Sequence, residues 1–355
     1  MPAPALSPLD RVQAAAAKGL LALPPKAQIL MSGGRPLRRD GLELDPQMQM
    51  LLALLRINGF MLRDPDQHVA RDRFSHNAAT FAGRPAPLAW TRELEVAGAD
   101  GSLAGRLYVP HGYRAPGALL VYFHGGGWVV GDIDSHDGTC RFIARHSGCA
   151  VVSVDYRLAP EHPFPAPVDD ALAAFRDVVA RADELGADAQ RIGVGGDSAG
   201  AHLAAVAAQQ SAVDDGPAPA FQLLMYPIVD NTGDEWRSRG LFAEGLLLEG
   251  ADIDWANANF IGDGGDGADP RASPLKAGDL SCVAPAYVVT AGFDPLRDEG
   301  EAYAARLREA GVPTTLRRQN GLLHGFATVI GISSAAARAT AELAGALQVG
   351  LAPRV

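Results

Sequence analysis

The sequence predicts an α/β protein: a mostly parallel sheet flanked by helices on both faces and topped by a helical cap. Three observations carry this. From Trp90 onward, short runs that are apolar throughout alternate with helix-length segments, the pattern of strands buried on both faces. That alternation breaks once, between Tyr226 and Ala286. Residues 1–88 carry no strand signal. The expected organisation is therefore a first cap segment at 1–88, a sheet domain at 89–229 and 266–355, and a second cap segment at 230–265.

In chain order, Leu9 to Leu23 reads as a short helix with Asp10 near its start and Pro24-Pro25 closing it. Asp45 to Asn58 reads as a capped helix: Asp45 is N-cap, Pro46 first in the helix, Met48, Leu51, Leu52 and Leu55 form the apolar stripe, and Gly59 stops it. Arg92 to Val96 and Leu103 to Val109 alternate as a hairpin around Gly98 to Gly101. Then come strand Ala118 to Phe123, helix Ser135 to His146, strand Cys149 to Val154 and helix Val168 to Arg181. After the centre of the chain come strands Phe221 to Tyr226 and Ala286 to Ala291, helix Asp298 to Ala310, strand Thr314 to Arg318 and a long helix from about Ser333 to Val349. Asp230 to Ile261 reads as helical, and Gly262 to Asp269 as a solvated connector that lacks the closing Glu of a calcium loop.

The centre is Arg191 to Gln210, where strand Ile192 to Gly195 runs into helix Ala199 to Gln210 through Gly196-Asp197-Ser198-Ala199-Gly200. A turn this sharp pushes one hydroxyl out of the backbone and requires residues without side chains two positions either side. It also sets Ser198 over the first N–H groups of the helix, where an oxyanion is stabilised. In a glycine-rich chain the pentapeptide alone is weak evidence, and its context has to support it.

That context is present. A serine needs a base, and two histidines lie after Ser198. His202, one turn along the same helix, reads as a packing residue. His324, flanked by glycines between the last strand and the last helix, can reach back. Asp294, at the end of the strand Val288 to Phe293, is the acid in the order Ser, Asp, His, with Asp298 and Asp230 as rivals. Asp294 would also serve as N-cap of the helix after Pro295. His124-Gly125-Gly126-Gly127-Trp128 leaves the strand Leu119 to Phe123 at the same sheet edge, so Gly126, Gly127 and Ala199 are the candidate oxyanion donors. His124 reads as bracing that loop. Trp128, Met48 and the aromatic residues of Asp230 to Phe260 are candidates for the substrate pocket.

Composition narrows the class further. The 355 residues are 48% hydrophobic and 20% charged, with a formal charge of −10 and scattered Lys and Arg, which excludes a nucleic-acid footprint. Cys140, Cys149 and Cys282 show no CxxC spacing, so they read as buried or half-buried thiols and no metal site is expected. No stretch of some 18 apolar residues appears, and Met1 to Ala5 lacks a charged head and apolar h-region. A cytoplasmic protein with no integral membrane segment is expected, with a homodimer left open.

The blocks His124 to Asp137, Asp155 to Ala166, Gly196 to Gly200, Asp294 to Gly300 and His324 to Phe326 together resemble the bacterial hormone-sensitive lipase family of α/β-hydrolases, in its GDSAG-bearing branch. The resemblance spans roughly residues 90 to 330. It implies an eight-stranded α/β-hydrolase sheet with a helical cap, a Ser198-Asp294-His324 triad, and oxyanion donors at Gly126, Gly127 and Ala199. It also implies hydrolysis of short- to medium-chain carboxylic esters through an acyl-enzyme, without cofactor. The alternatives are amidase, lactonase or acyltransferase chemistry with the same triad, and a non-catalytic ligand-binding protein on a hydrolase frame.

Overall fold

A computed structural model describes residues 8–57, 62–81, 83–213 and 216–353. Gly59, the expected helix stop, and Met1 to Ala5 lie outside these residues.

Among the described residues ten strands follow in chain order. Two short ones, β1 (Arg38–Arg39) and β2 (Leu42–Glu43), pair with each other across Asp40-Gly41, both at positive φ. No strand was expected here. The Asp-Gly pair is nonetheless a hairpin-turn signal, and just past the hairpin Asp45 N–H donates to the Gly321 carbonyl at 2.9 Å. The others are β3 (Trp90–Gly98), β4 (Gly101–Val109), β5 (Gly117–Phe123), β6 (Ala150–Val154), β7 (Ala187–Asp197), β8 (Gln222–Met225), β9 (Ala286–Phe293) and β10 (Thr314–Leu323). Among the described residues these eight form one sheet in the order β10-β9-β8-β7-β5-β6-β4-β3. β3 and β4 are antiparallel to their neighbours and all other pairs are parallel.

The inner strands β5, β6, β8 and β9 are buried at every residue, whereas the edge strands β3 and β10 alternate with solvent. Each face has its own core. Leu119, Val121 and Phe123 of β5 join one with helices Ala166–Ala180, Ala199–Val213 and Arg297–Glu309; Leu120 and Tyr122 join the other with helices Pro46–Ile57, Asp137–Ser147 and Ser334–Gly350. Helix Ala199–Val213 is buried almost all round, which its Ala-rich composition permits.

The stretch from Asp230 to Ile261 is less helical than expected. Helices cover only Arg237–Leu241 and Gly250–Ile261. Before them the Asp230 carboxylate accepts from Thr232 N–H at 3.0 Å, Thr232 O–H at 2.6 Å and Trp236 Nε1 at 3.1 Å, a local network that competes with helix. Of the three cysteines, all free, Cys140 and Cys149 are buried and Cys282 is exposed, a correction to its expected burial.

The tightest packing is at the centre. A Cβ placed on Gly200 would overlap the Phe123 carbonyl and crowd that of His124, and one on Gly196 would overlap the same Phe123 oxygen. Backbone of the strand-to-helix turn thus lies directly on backbone leaving β5. Gly200→Ala is expected to cost about 3 kcal/mol or more of unfolding free energy, because neither side of the contact is a movable side chain. A urea-denaturation midpoint equal to the parent's would contradict this packing.

Candidate active site

Four parallel strands deliver the site from their C-terminal ends, the edge where α/β sheets place ligands. Gly125 to Gly127 come after β5, Ser198 after β7, Asp294 after β9 and His324 after β10. Ser198 has φ +54°, a conformation that non-glycine residues rarely adopt and that the glycine packing at Gly196 and Gly200 imposes. Its N–H donates to the Met225 carbonyl at 2.9 Å, and its own carbonyl accepts the first helical bond from His202 at 3.1 Å.

The three residues expected to act together converge. His324 Nε2 lies 3.0 Å from Ser198 Oγ, and His324 Nδ1 lies 2.8 Å from Asp294 Oδ2. A carboxylate only accepts, so Nδ1 carries the hydrogen and Nε2 presents its lone pair to the serine. Asp294 is fully buried and its other oxygen accepts from Leu296 N–H at 2.8 Å. The next helix begins only at Arg297, so Asp294 opens a turn and is not its N-cap. The rival acids are engaged elsewhere: Asp298 accepts from Ser238 N–H at 2.9 Å and Arg297 Nε at 2.8 Å, and Asp230 holds the network described above.

Gly126 (φ +121°) and Gly127 (φ +60°) line the same cavity as Ser198 and His324. Ala199 is the first residue of its helix, so its N–H has no intrahelical acceptor. Trp128 also lines the cavity, with its ring stacked on Phe260 at 4.0 Å and its Nε1 donating to His202 Nδ1 at 3.2 Å. His202 Nε2 sits 3.0 Å from the Ala272 carbonyl, so the neutral ring is satisfied on both nitrogens, and burial pushes its pKa down to about 4. It is the packing residue expected from sequence.

Met48 does not reach the cavity. It is wholly buried in the core, while Leu51 and Leu55, on the second half of the same helix, form the wall. The expected aromatic lining is likewise replaced. Phe260 stands behind Trp128, Phe242 packs on Phe293, Trp236 bonds Asp230 and Trp255 lies against Val129 and Val130 in a separate small cluster. The segment instead contributes Leu247, Leu248, Ile253 and Ala256. Phe74, Asn77 and Phe81 of helix Gln67–Phe81 complete the cavity opposite, and no sequence signal marked them. At the rim Arg63 Nη1 meets Asp252 Oδ1 at 2.7 Å, joining the two segments.

This fold with a serine, a histidine and a buried carboxylate at one sheet edge defines an α/β-hydrolase. Residues 120–328 match a family model described as alpha/beta hydrolase fold. The chain is 44% identical to the carboxylic ester hydrolase LipN of Mycobacterium tuberculosis over 93% of this chain and 89% of that one. It is 39% identical to the carboxylesterase NlhH of the same organism over 87% of this chain and 97% of that one. Among solved structures, an ester hydrolase from the metagenome of Lake Arreo superposes with a TM-score of 0.83 at 42% identity, covering 86% of this chain and 98% of its own. A hyperthermophilic esterase from Pyrobaculum calidifontis gives 0.81 at 38%, with the same coverage. The chain belongs to the hormone-sensitive lipase family of α/β-hydrolases. No helix among the described residues is long and apolar enough to cross a membrane.

The state of His202 has a stability consequence. A histidine held near 4 when folded and near 6.5 when unfolded contributes stability that is complete above pH 6.5 and is lost progressively as pH falls toward 4, on the order of 3 kcal/mol. His202→Gln is therefore expected to be less stable than the parent at pH 7 and to show a shallower decline of melting temperature between pH 6.5 and 4. Parallel declines would contradict the buried neutral imidazole.

Proposed function

We propose that Ser198, His324 and Asp294 hydrolyse short carboxylic esters by a two-step acyl transfer, with Gly126, Gly127 and Ala199 N–H groups holding the oxyanion. The chain is a carboxylic ester hydrolase by family; the roles and the substrate size are this proposal. The observation that carries it is the continuous line from Asp294 Oδ2 through His324 to Ser198 Oγ, 2.8 and 3.0 Å, opening into the cavity. His324 takes the serine proton as Oγ attacks the ester carbonyl, Asp294 stabilises the imidazolium, and His324 then protonates the departing alcohol. Water repeats the sequence to free the acid. A base already seated on the hydroxyl weighs against a binding-only role.

The two segments at 1–88 and 230–265 supply the cap. Their leucines, Ile253 and Phe81 make the cavity apolar apart from the reacting groups, Asn77, Asp197, Asp252 and Thr328. Its volume of about 120 Å³ favours small groups: an apolar cavity of about 150 Å³ holds one benzene ring. Acyl chains of about four to six carbons fit, and longer ones must protrude between the cap segments.

Ser198→Ala and His324→Ala are each expected to lower kcat on p-nitrophenyl butyrate by about 10^4-fold or more while the fold persists, and Ser198→Ala to abolish labelling by a fluorophosphonate. Wild-type turnover or labelling in either variant would overturn the assignment. Across p-nitrophenyl esters, kcat/KM is expected to peak at butyrate or hexanoate and to fall at least about tenfold by dodecanoate. A steady rise to palmitate would contradict the cavity argument.

A further inference from the structure

A cluster of buried polar groups that the reaction does not use lies directly beneath the serine turn and the glycine loop. Asp197, adjacent to Ser198, is almost wholly buried. Its Oδ1 accepts from Tyr122 O–H at 2.6 Å and from Gly125 N–H at 2.9 Å, and its Oδ2 lies 3.5 Å from Tyr226 O–H. His136 Nε2 lies 3.4 Å from the same Oδ1, an ion-pair contact without hydrogen-bond geometry.

The charge on His136 follows from the Ser135 hydroxyl on one side of the ring and the Asp197 carboxylate on the other. Ser135 has one hydroxyl hydrogen, and it is given to the Asp132 carbonyl at 2.8 Å; the same hydroxyl accepts from Asp132 N–H at 2.9 Å. In that arrangement His136 Nδ1, 3.0 Å from Ser135 Oγ, donates. A neutral ring would then turn the lone pair of Nε2 toward a carboxylate oxygen, two acceptors facing each other. The imidazolium, with a hydrogen on both nitrogens, suits both neighbours in that arrangement; a neutral ring protonated on Nε2 suits them only if the Ser135 hydrogen turns from the Asp132 carbonyl to Nδ1.

We propose that His136 is a positioning residue of the hydrolytic site: as an imidazolium it keeps Asp197 ionised, and through Asp197 it holds the Gly125 N–H and the glycine loop that receives the oxyanion. The inference rests on the esterase reading above. Asp197 is in contact with both halves of the site, since it precedes the nucleophile and anchors the loop. A Cβ on Gly125 would stand 2.5 Å from Asp197 Oδ2, so the carboxylate and the loop are in direct contact. Without its counter-charge, a buried carboxylate here would either oppose the oxyanion or take up a proton and weaken its grip on Gly125.

The surrounding groups agree. Burial pushes the His136 imidazole down, but Asp197 and Asp132 together outweigh it and the net shift is upward. Burial pushes the Asp197 carboxyl up, but His136, Tyr122 and the Gly125 N–H together outweigh that and the net shift is downward. His124, 5.4 Å away centroid to centroid and stacked on Tyr156 at 4.3 Å, is driven down to about 4 by burial and by His136, so it stands neutral with Nδ1 donating to the Gly125 carbonyl at 2.8 Å. Asp132 faces the pair with its oxygens taken by Ser135 N–H and Ser75 O–H, Asp155 lies behind His124 at 3.9 Å, and Phe74 stacks on the far side of His136 at 6.0 Å.

The test begins with the active wild-type enzyme; a wild type that does not turn over esters would remove the esterase reading itself. Nitrogen-15 NMR of the histidine side chains at pH 7.5 is expected to show both His136 ring nitrogens protonated, a signal absent from His136→Gln. His136→Gln and Asp197→Asn are each expected to lower kcat about 10- to 100-fold with KM within about threefold, and the double variant to be no slower than the slower single variant. A neutral His136 in the wild type, multiplicative losses in the double variant, or an effect confined to KM would overturn the proposal. If His136→Gln does not fold, the wild-type spectrum with the Asp197→Asn kinetics still decides it.

Discussion

Everything at this site depends on one backbone contact, that of the turn at Gly196 to Gly200 with the carbonyls of Phe123 and His124 where β5 ends. It leaves no room for a side chain at either glycine, and it forces Ser198 into a left-handed conformation that lifts its hydroxyl clear. It also fixes the distance between two loops that have no covalent reason to meet. The serine and the glycine loop are therefore held by a shared van der Waals surface, with the strain at Ser198 offset by the packing of a helix buried almost all round.

The sheet supplies the remaining alignment. Because β5, β7, β9 and β10 run parallel, their ends lie at one edge, and the proposed site residues follow within four positions of those ends. Register does the fine placement: Phe123 lies opposite Gly196 and Leu323 opposite Phe293, so the acid and the histidine leave their strands side by side. Beneath this edge the Asp197 and His136 pair braces the two loops, and above it aliphatic side chains from two distant segments close a small cavity. Polar order below and apolar enclosure above leave His324 and Ser198 at the boundary.

The parts of this arrangement that were legible in the sequence are those that obey local rules. All-apolar runs marked the inner strands, glycine spacing marked the turn, and chain order with strand ends selected Asp294 and His324 over Asp298 and His202. What was not legible is set by packing between segments far apart in the chain. The stripe on Pro46–Ile57 announces an apolar face, but only the tertiary fold decides that Leu51 and Leu55 meet the cavity while Met48 is sealed in the core. The aromatic residues after Asp230 suggested a pocket and turned out to buttress it, because large rings fill the space between helix and sheet and leave the lining to Leu, Ile and Ala. The hairpin at Asp40-Gly41 was missed, because its two-residue strands are too short to show a period. His136 carried no signal of its own: its role depends on where Ser135 sends a single hydrogen.

The most direct measurement of the central claim is a crystal structure of the enzyme after reaction with an alkyl phosphonate, whose tetrahedral phosphorus imitates the acylation intermediate. Phosphorus is expected to be bonded to Ser198 Oγ, its oxyanion about 3 Å from the N–H groups of Gly126, Gly127 and Ala199, and its alkyl chain among Leu51, Leu55 and Leu247. A phosphonate bonded elsewhere, or one at Ser198 with its oxygen turned away from those three N–H groups, would contradict that claim.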